Sequence, residues 1–163
     1  MSQDKKVRIE SDLLGSREIP ADALYGVQTL RGVENFPISH FHLNEYPLFI
    51  KGLAITKMGA AAANHELGLL SDELYNAIMQ ACDEVAEGKH DKEFPVDMIQ
   101  GGAGTTTNMN ANEVIANRAL QIMGYECGDF KHCSPNDDVN CSQSTNDAYP
   151  TAAHIGLYYT NTE

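Results

Sequence analysis

Polar and apolar positions recur at helical spacing in four stretches of the chain, and glycine closes three of them. The first stretch begins near Asn44 and Glu45, with Pro47 tolerated in its opening turn. Leu48, Leu53, Ile55, Met58 and Ala62 mark its apolar face, and Gly68 stops it. The second opens at Ser71-Asp72-Glu73, a capping hydroxyl followed by two acids that favour a helix N-terminus. Leu74, Ile78, Cys82 and Val85 follow, and Gly88 ends it. The third runs from Thr106 to Met123, ahead of Gly124. The fourth starts near Asp147, carries Pro150 in its first turn and continues through Ala153, Ile155, Leu157 and Tyr158.

The remaining segments lack that period. Val7-Arg8-Ile9-Glu10 and Arg17-Glu18-Ile19 alternate in polarity around Leu14-Gly15-Ser16, the pattern of a short hairpin or an extended arm. Pro20 breaks the alternation, and residues 21–36 are mixed, with Tyr25-Gly26 as a turn. Residues 125–141 are rich in Asp, Asn, Pro and Cys and read as a loop or linker. The predicted fold class is mainly α, with at most a small β element near residues 7–19.

The chain has 163 residues, enough for a domain with its own core. Apolar residues make up 42% and charged residues 21%, as in a globular protein. The formal net charge of −12 argues against a nucleic-acid or acidic-membrane partner, since both reward clustered Lys and Arg. No apolar run is long enough to span a bilayer, and no secretory h-region follows Met1-Ser2-Gln3-Asp4-Lys5-Lys6, so a cytoplasmic protein is expected. In that compartment Cys82, Cys127, Cys133 and Cys141 are expected to be free thiols. The last three could be imagined as metal ligands together with His132, but no C-x-x-C pair occurs and ordinary thiols are favoured.

Candidate chemistry lies in two runs. Gly101-Gly102-Ala103-Gly104-Thr105-Thr106-Thr107 sits directly ahead of the third helix, and Ser142-Gln143-Ser144-Thr145-Asn146-Asp147 directly ahead of the fourth. Each places backbone N–H groups and small hydroxyls at a helix N-terminus, which suits an anion. In so acidic a chain, two uncharged cradles suggest a small carboxylate. The same residue types also cap helices with no ligand involved, and spacing alone favours that use. His40, His42, His65 and His90 fall near turns or exposed helix faces and are read as surface residues. Asp137-Asp138 is read as a solvated turn rather than an acid/base pair.

In these segments the chain resembles the aspartate ammonia-lyases of the fumarase/aspartase superfamily. The resemblance runs through Arg8-Ile9-Glu10, Asp12-Leu13-Leu14-Gly15 and Ile19-Pro20-Ala21-Asp22. It continues through Tyr25-Gly26-Val27-Gln28-Thr29-Leu30-Arg31, Glu34-Asn35-Phe36-Pro37-Ile38-Ser39, Gln100 to Thr105, and Asn108-Met109-Asn110. It closes on Ser134-Pro135-Asn136-Asp137 and Gln143 to Thr151. Class II fumarases tend to have Trp-Gly at Tyr25-Gly26, His at Ser134 and Gln-Ser-Ser-Asn-Asp at residues 143–147, so all three positions favour the ammonia-lyases.

The resemblance implies a mainly helical homotetramer. Residues 1–140 would form its N-terminal helical domain and residues 141–163 the start of the first helix of a central bundle. It implies reversible conversion of L-aspartate to fumarate and ammonia, with no cofactor and no metal at these residues. Thr105, Ser144, Thr145 and Asn146 would bind the substrate carboxylates. The catalytic base would be a serine beyond Glu163, so this chain by itself would carry no catalytic residue and be inactive. A class II fumarate hydratase fragment, and a non-catalytic binding or assembly module, are the alternatives.

Overall fold

A computed structural model describes residues 6–162. Residues 1–5 and Glu163 lie outside the described residues, and with them most of the N-terminal segment read above for a secretory signal. The architecture is mainly helical with one two-stranded antiparallel sheet, in the order β1 (Val7–Asp12), β2 (Gly15–Pro20), α1 (Val27–Asn35), α2 (Pro47–Glu66), α3 (Asp72–Ala86), α4 (Thr105–Ile122) and α5 (Thr145–Thr162). The alternating N-terminal segment is therefore a hairpin, with Val7 opposite Pro20 and Asp12 opposite Gly15. Ile19 is its buried anchor. Arg8 donates to the carbonyls of Pro20, Ala23 and Tyr25, and Arg31 of α1 clamps Asp12 with two bonds of 2.7 Å.

Helix α1 was not visible in the sequence. It has only nine residues, and its buried positions Val27, Thr29, Arg31 and Gly32 include two polar side chains, so no apolar stripe announces it. Its N-terminus is satisfied by two carboxylates from elsewhere: Glu10 accepts from the N–H of Val27, and Glu113 from those of Gly26, Gln28 and Thr29.

The expected face of α2 is out of phase. Leu48, Ile55, Met58 and Ala62 are only half-buried, and the buried stripe is Ile50, Leu53, Ala54, Lys57, Ala61 and Asn64. A lysine and an asparagine sit inside that stripe, which hid its period. Helix α5 begins at Thr145 rather than Asp147, and it buries Ala148, Ala152 and Gly156 while Leu157 and Tyr158 stay exposed. This stripe of small residues lies directly on α2. A Cβ at Gly52 would overlap the Ala152 carbonyl oxygen, and one at Gly156 would crowd the backbone of Leu48 and Phe49. Gly52→Ala should therefore push the two helices apart, lowering stability by about 1–3 kcal/mol in a denaturant titration.

Residues 125–141 are more ordered than a linker. A π-helical turn, Pro135–Val139, is capped by Ser134, whose Oγ accepts from the N–H of Asp137, while the Asp138 carboxylate accepts from the N–H of Ser134. The Asp137-Asp138 pair thus closes a turn, and Cys133, Pro135 and Val139 anchor the segment in the core. Among the described residues no helix is long and apolar enough to cross a membrane.

Candidate functional site

Helix α4 is the hub from which the site is built. Nearly every residue from Thr107 to Leu120 is buried, yet the stretch is rich in amides and includes a carboxylate. Each of five buried polar side chains ties down a different segment. Thr107 pairs with Gln100, Asn110 donates to the Glu93 carbonyl, and Asn117 donates to the Leu24 carbonyl and accepts from the N–H of Gly128. Glu113 gathers three backbone N–H groups and the Thr29 hydroxyl. Asn108 holds the segment that leads into α5.

At the N-terminus of α4, Gly104 occupies the cap position with φ 86°, a left-handed conformation that favours glycine. It contributes no side chain to cap the helix. The Gln100 side chain does part of that work, accepting from the N–H of Thr107 at 2.7 Å. Thr105 is the first helical residue and is exposed, and no described residue hydrogen-bonds its hydroxyl or its N–H. The capping explanation for a threonine at this position therefore fails at Thr105.

At the start of α5 the roles divide. Ser144 is a true cap: its Oγ accepts from the N–H of Asn146 at 3.2 Å, and its own N–H donates to Asp147 Oδ1 at 3.0 Å. Ser144→Ala should cost about 1 kcal/mol of stability, read as a lowered denaturation midpoint. Thr145 is half-buried, and its Oγ1 accepts from Asn108 Nδ2 at 3.3 Å, a direct bond from α5 to α4. The Asn146 side chain is exposed and bonds to no described residue.

The two runs, some forty residues apart in sequence, converge. Besides the Asn108–Thr145 bond, the Tyr149 ring lies over Gly104 so closely that a Cβ there would overlap it, and Phe49 of α2 packs on the same ring edge-on at 5.3 Å. The structure thus joins Thr145 to α4 one turn below Thr105, while Ser144 and Asn146 are tied to their own helix start.

Beneath this junction lies a group the sequence reading missed. Lys57, 1% exposed, reaches from α2 and donates to Asn108 Oδ1 at 2.8 Å, Asn140 Oδ1 at 3.0 Å and Gln143 Oε1 at 2.9 Å. Burial pulls its ammonium down to about 8, against the opposing influence of the Asp147 carboxylate. A signal was present: Lys57 falls in phase with Ile50, Leu53 and Ala61, a lysine at a core position of an apolar helix. Such a lysine needs partners.

The other titratable candidates do not join the site. His65 stacks on Tyr75 and bonds Asp72, and His132 stacks on Tyr125. His90 is not the surface residue expected: it is largely buried against Glu84, which Arg118 and His90 together hold down at about 2. All four cysteines are free, and burial pushes Cys133 up to about 12. Among the described residues no group of three or more His, Cys, Asp or Glu side chains could hold a metal ion.

Comparison with known proteins defines the class. The family described as Lyase matches residues 15–163, and the chain belongs to it, within the fumarase/aspartase superfamily. An aspartate ammonia-lyase from a Bacillus species is 60% identical over 151 residues, covering 93% of this chain and 32% of the relative. The aspartate ammonia-lyase of Escherichia coli K12 is 54% identical over 153 residues, covering 93% and 32%. Among solved structures, a fumarate lyase:delta crystallin from Brucella melitensis superposes with a TM-score of 0.95 at 52% identity, covering 96% of this chain and 36% of that one. A class II fumarase from Schistosoma mansoni gives 0.86 at 39%, covering 93% and 32%. The chain spans about a third of the length of these relatives.

Proposed function

We propose that this chain is the N-terminal part of an aspartate ammonia-lyase and that the junction of α4 and α5 binds a carboxylate of L-aspartate. In this reading residues 1–140 form the N-terminal domain, and α5 begins the central bundle of a cytoplasmic homotetramer. The observation that carries it is the convergence of two helix N-termini, with the Thr105 hydroxyl unengaged and the Thr145 hydroxyl proton free to donate. The identity to aspartate ammonia-lyases, higher than to the fumarase, supports the choice of substrate.

The reaction removes a proton from the carbon next to the side-chain carboxylate, expels ammonia from the neighbouring carbon and leaves fumarate. As the C–H bond breaks, its electron pair moves into the carboxylate, which gains a second negative charge. Donors already aimed at those oxygens stabilise that charge without reorganising, and helix N-terminal N–H groups add their partial positive charge. Thr105 and Thr145 supply hydroxyl donors and Asn146 an amide. Ser144 contributes through the cap that orients the turn. The base comes from another part of the whole protein.

The test is an assay of the full-length protein with L-aspartate and, separately, with fumarate alone. Equal amounts of fumarate and ammonia from aspartate are expected. Hydration of fumarate to malate, with no ammonia released from aspartate, would establish the fumarase alternative instead.

A further inference from the structure

We propose that Lys57 is a positioning residue that sets the direction in which Thr145 donates its proton. The inference rests on the reading of the α4–α5 junction as a carboxylate site, and it adds a residue that touches no substrate.

An ammonium has three N–H donors and no acceptor. The three acceptors around Lys57 Nζ are the side-chain oxygens of Asn108, Asn140 and Gln143, so donors and acceptors match one to one. This match fixes the Asn108 amide. Its oxygen must face the ammonium, so its NH2 faces the other way, where one N–H meets Asn140 Oδ1 at 3.1 Å and the other meets Thr145 Oγ1 at 3.3 Å. Thr145 therefore receives a hydrogen bond from within the protein. A hydroxyl has one proton, and that of Thr145 has no described protein acceptor, so it is left for a ligand oxygen. If Asn108 were turned over, its oxygen would accept the Thr145 proton, and Thr145 Oγ1 would present only lone pairs to an incoming carboxylate.

Deprotonation of Lys57 undoes the match. A neutral amine has two N–H donors and a lone pair, and the lone pair would face one of the three carbonyl oxygens. Burial pulls Lys57 down to about 8, so the ammonium gives way to the neutral amine as pH rises from 7 to 9. The titratable groups that face it are the Cys82 thiol from α3 and the Asp147 carboxylate from the first turn of α5, and from α4 and the 140–143 turn it meets amides. Cys82 is pushed far up by burial and stays protonated over this span. Ligand binding that needs the ammonium is present below about pH 8 and is lost as pH rises through it.

Succinate is the probe, because it carries two carboxylates and no amine and does not itself titrate between pH 7 and 9. Its dissociation constant is measured calorimetrically on the full-length protein across that range, for wild type, Lys57→Met, Thr145→Ala and the double variant. The expected result is a rise of up to about tenfold in the wild type between pH 7 and 9. Each single variant should bind weakly already at pH 7 with a flat profile. The double variant should be no worse than either single one, since both remove the same donor. A flat wild-type profile, or losses that add in the double variant, would overturn the proposal. Should Lys57→Met fail to fold, Thr145→Ala decides: its profile flattens if Lys57 acts through Thr145, and a wild-type slope persisting in that variant overturns the proposal. If Thr105→Ala and Thr145→Ala both bind succinate like wild type at pH 7, the carboxylate site itself is wrong and this inference falls with it.

Discussion

Glu113→Ala should destabilise the protein by about 3–5 kcal/mol, a loss measurable as a fall in the denaturation midpoint. The carboxylate is 2% exposed and accepts from the N–H groups of Gly26, Gln28 and Thr29 and from the Thr29 hydroxyl, at 2.6–3.0 Å. Removing it leaves four donors unsatisfied, three of them at a helix start with no side-chain cap of its own. Glu113→Gln separates charge from shape. It keeps the volume but turns an NH2 toward those donors, and it should still cost about 2–3 kcal/mol. Hydrogen exchange adds a local readout: the amides of residues 26–29 should lose protection before those of α3. If both variants unfold at the wild-type midpoint, α1 is held by its packing and Glu113 is incidental.

The other large effect concerns turnover. On the proposed reading of the α4–α5 junction, Thr105→Ala and Thr145→Ala in the full-length protein should each lower the rate with aspartate by on the order of a hundredfold, because each would remove a donor from a carboxylate that gains charge in the transition state. Neither should cost much stability. Thr105 is exposed and caps nothing, and Thr145 gives up one long bond to Asn108. Asn146→Ala should follow the same balance, since its side chain has no structural partner among the described residues. Ser144→Ala is the internal contrast, with its cap bond broken and a larger share of its effect in stability. Turnover and melting temperature measured on the same four variants decide the matter. Near-normal turnover in Thr105→Ala would remove that residue from the site.

The helices whose apolar residues keep one phase were legible in the sequence. Helix α3 matches its expected extent from the Ser71 cap to Gly88, because Ile78, Cys82 and Val85 all face the core and the cap residue carries its own signal. Polar residues at buried positions hid α1 and the true face of α2. Thr29 and Arg31 hid α1, while Lys57 and Asn64 shifted the apparent face of α2. In α4 the segment itself was visible, but a run of amides looks the same whether it faces water or anchors loops. Only the positions of Gly26, Glu93, Leu24 and Asn140 in space tell the two apart. The two candidate runs were likewise visible one at a time. Their meeting depends on Asn108 and on the fit of Tyr149 over Gly104, contacts between residues some forty positions apart.

The close seating of Gly52 against Ala152 and of Gly156 against Leu48 has a mechanical consequence. At these two contacts backbone meets backbone, with no side chain between them. Helix α5 spans eighteen residues, roughly 27 Å, with Pro150 inside it. A Cβ at Gly52 could be accommodated only by moving helix backbone, and with it the turn that carries Thr145.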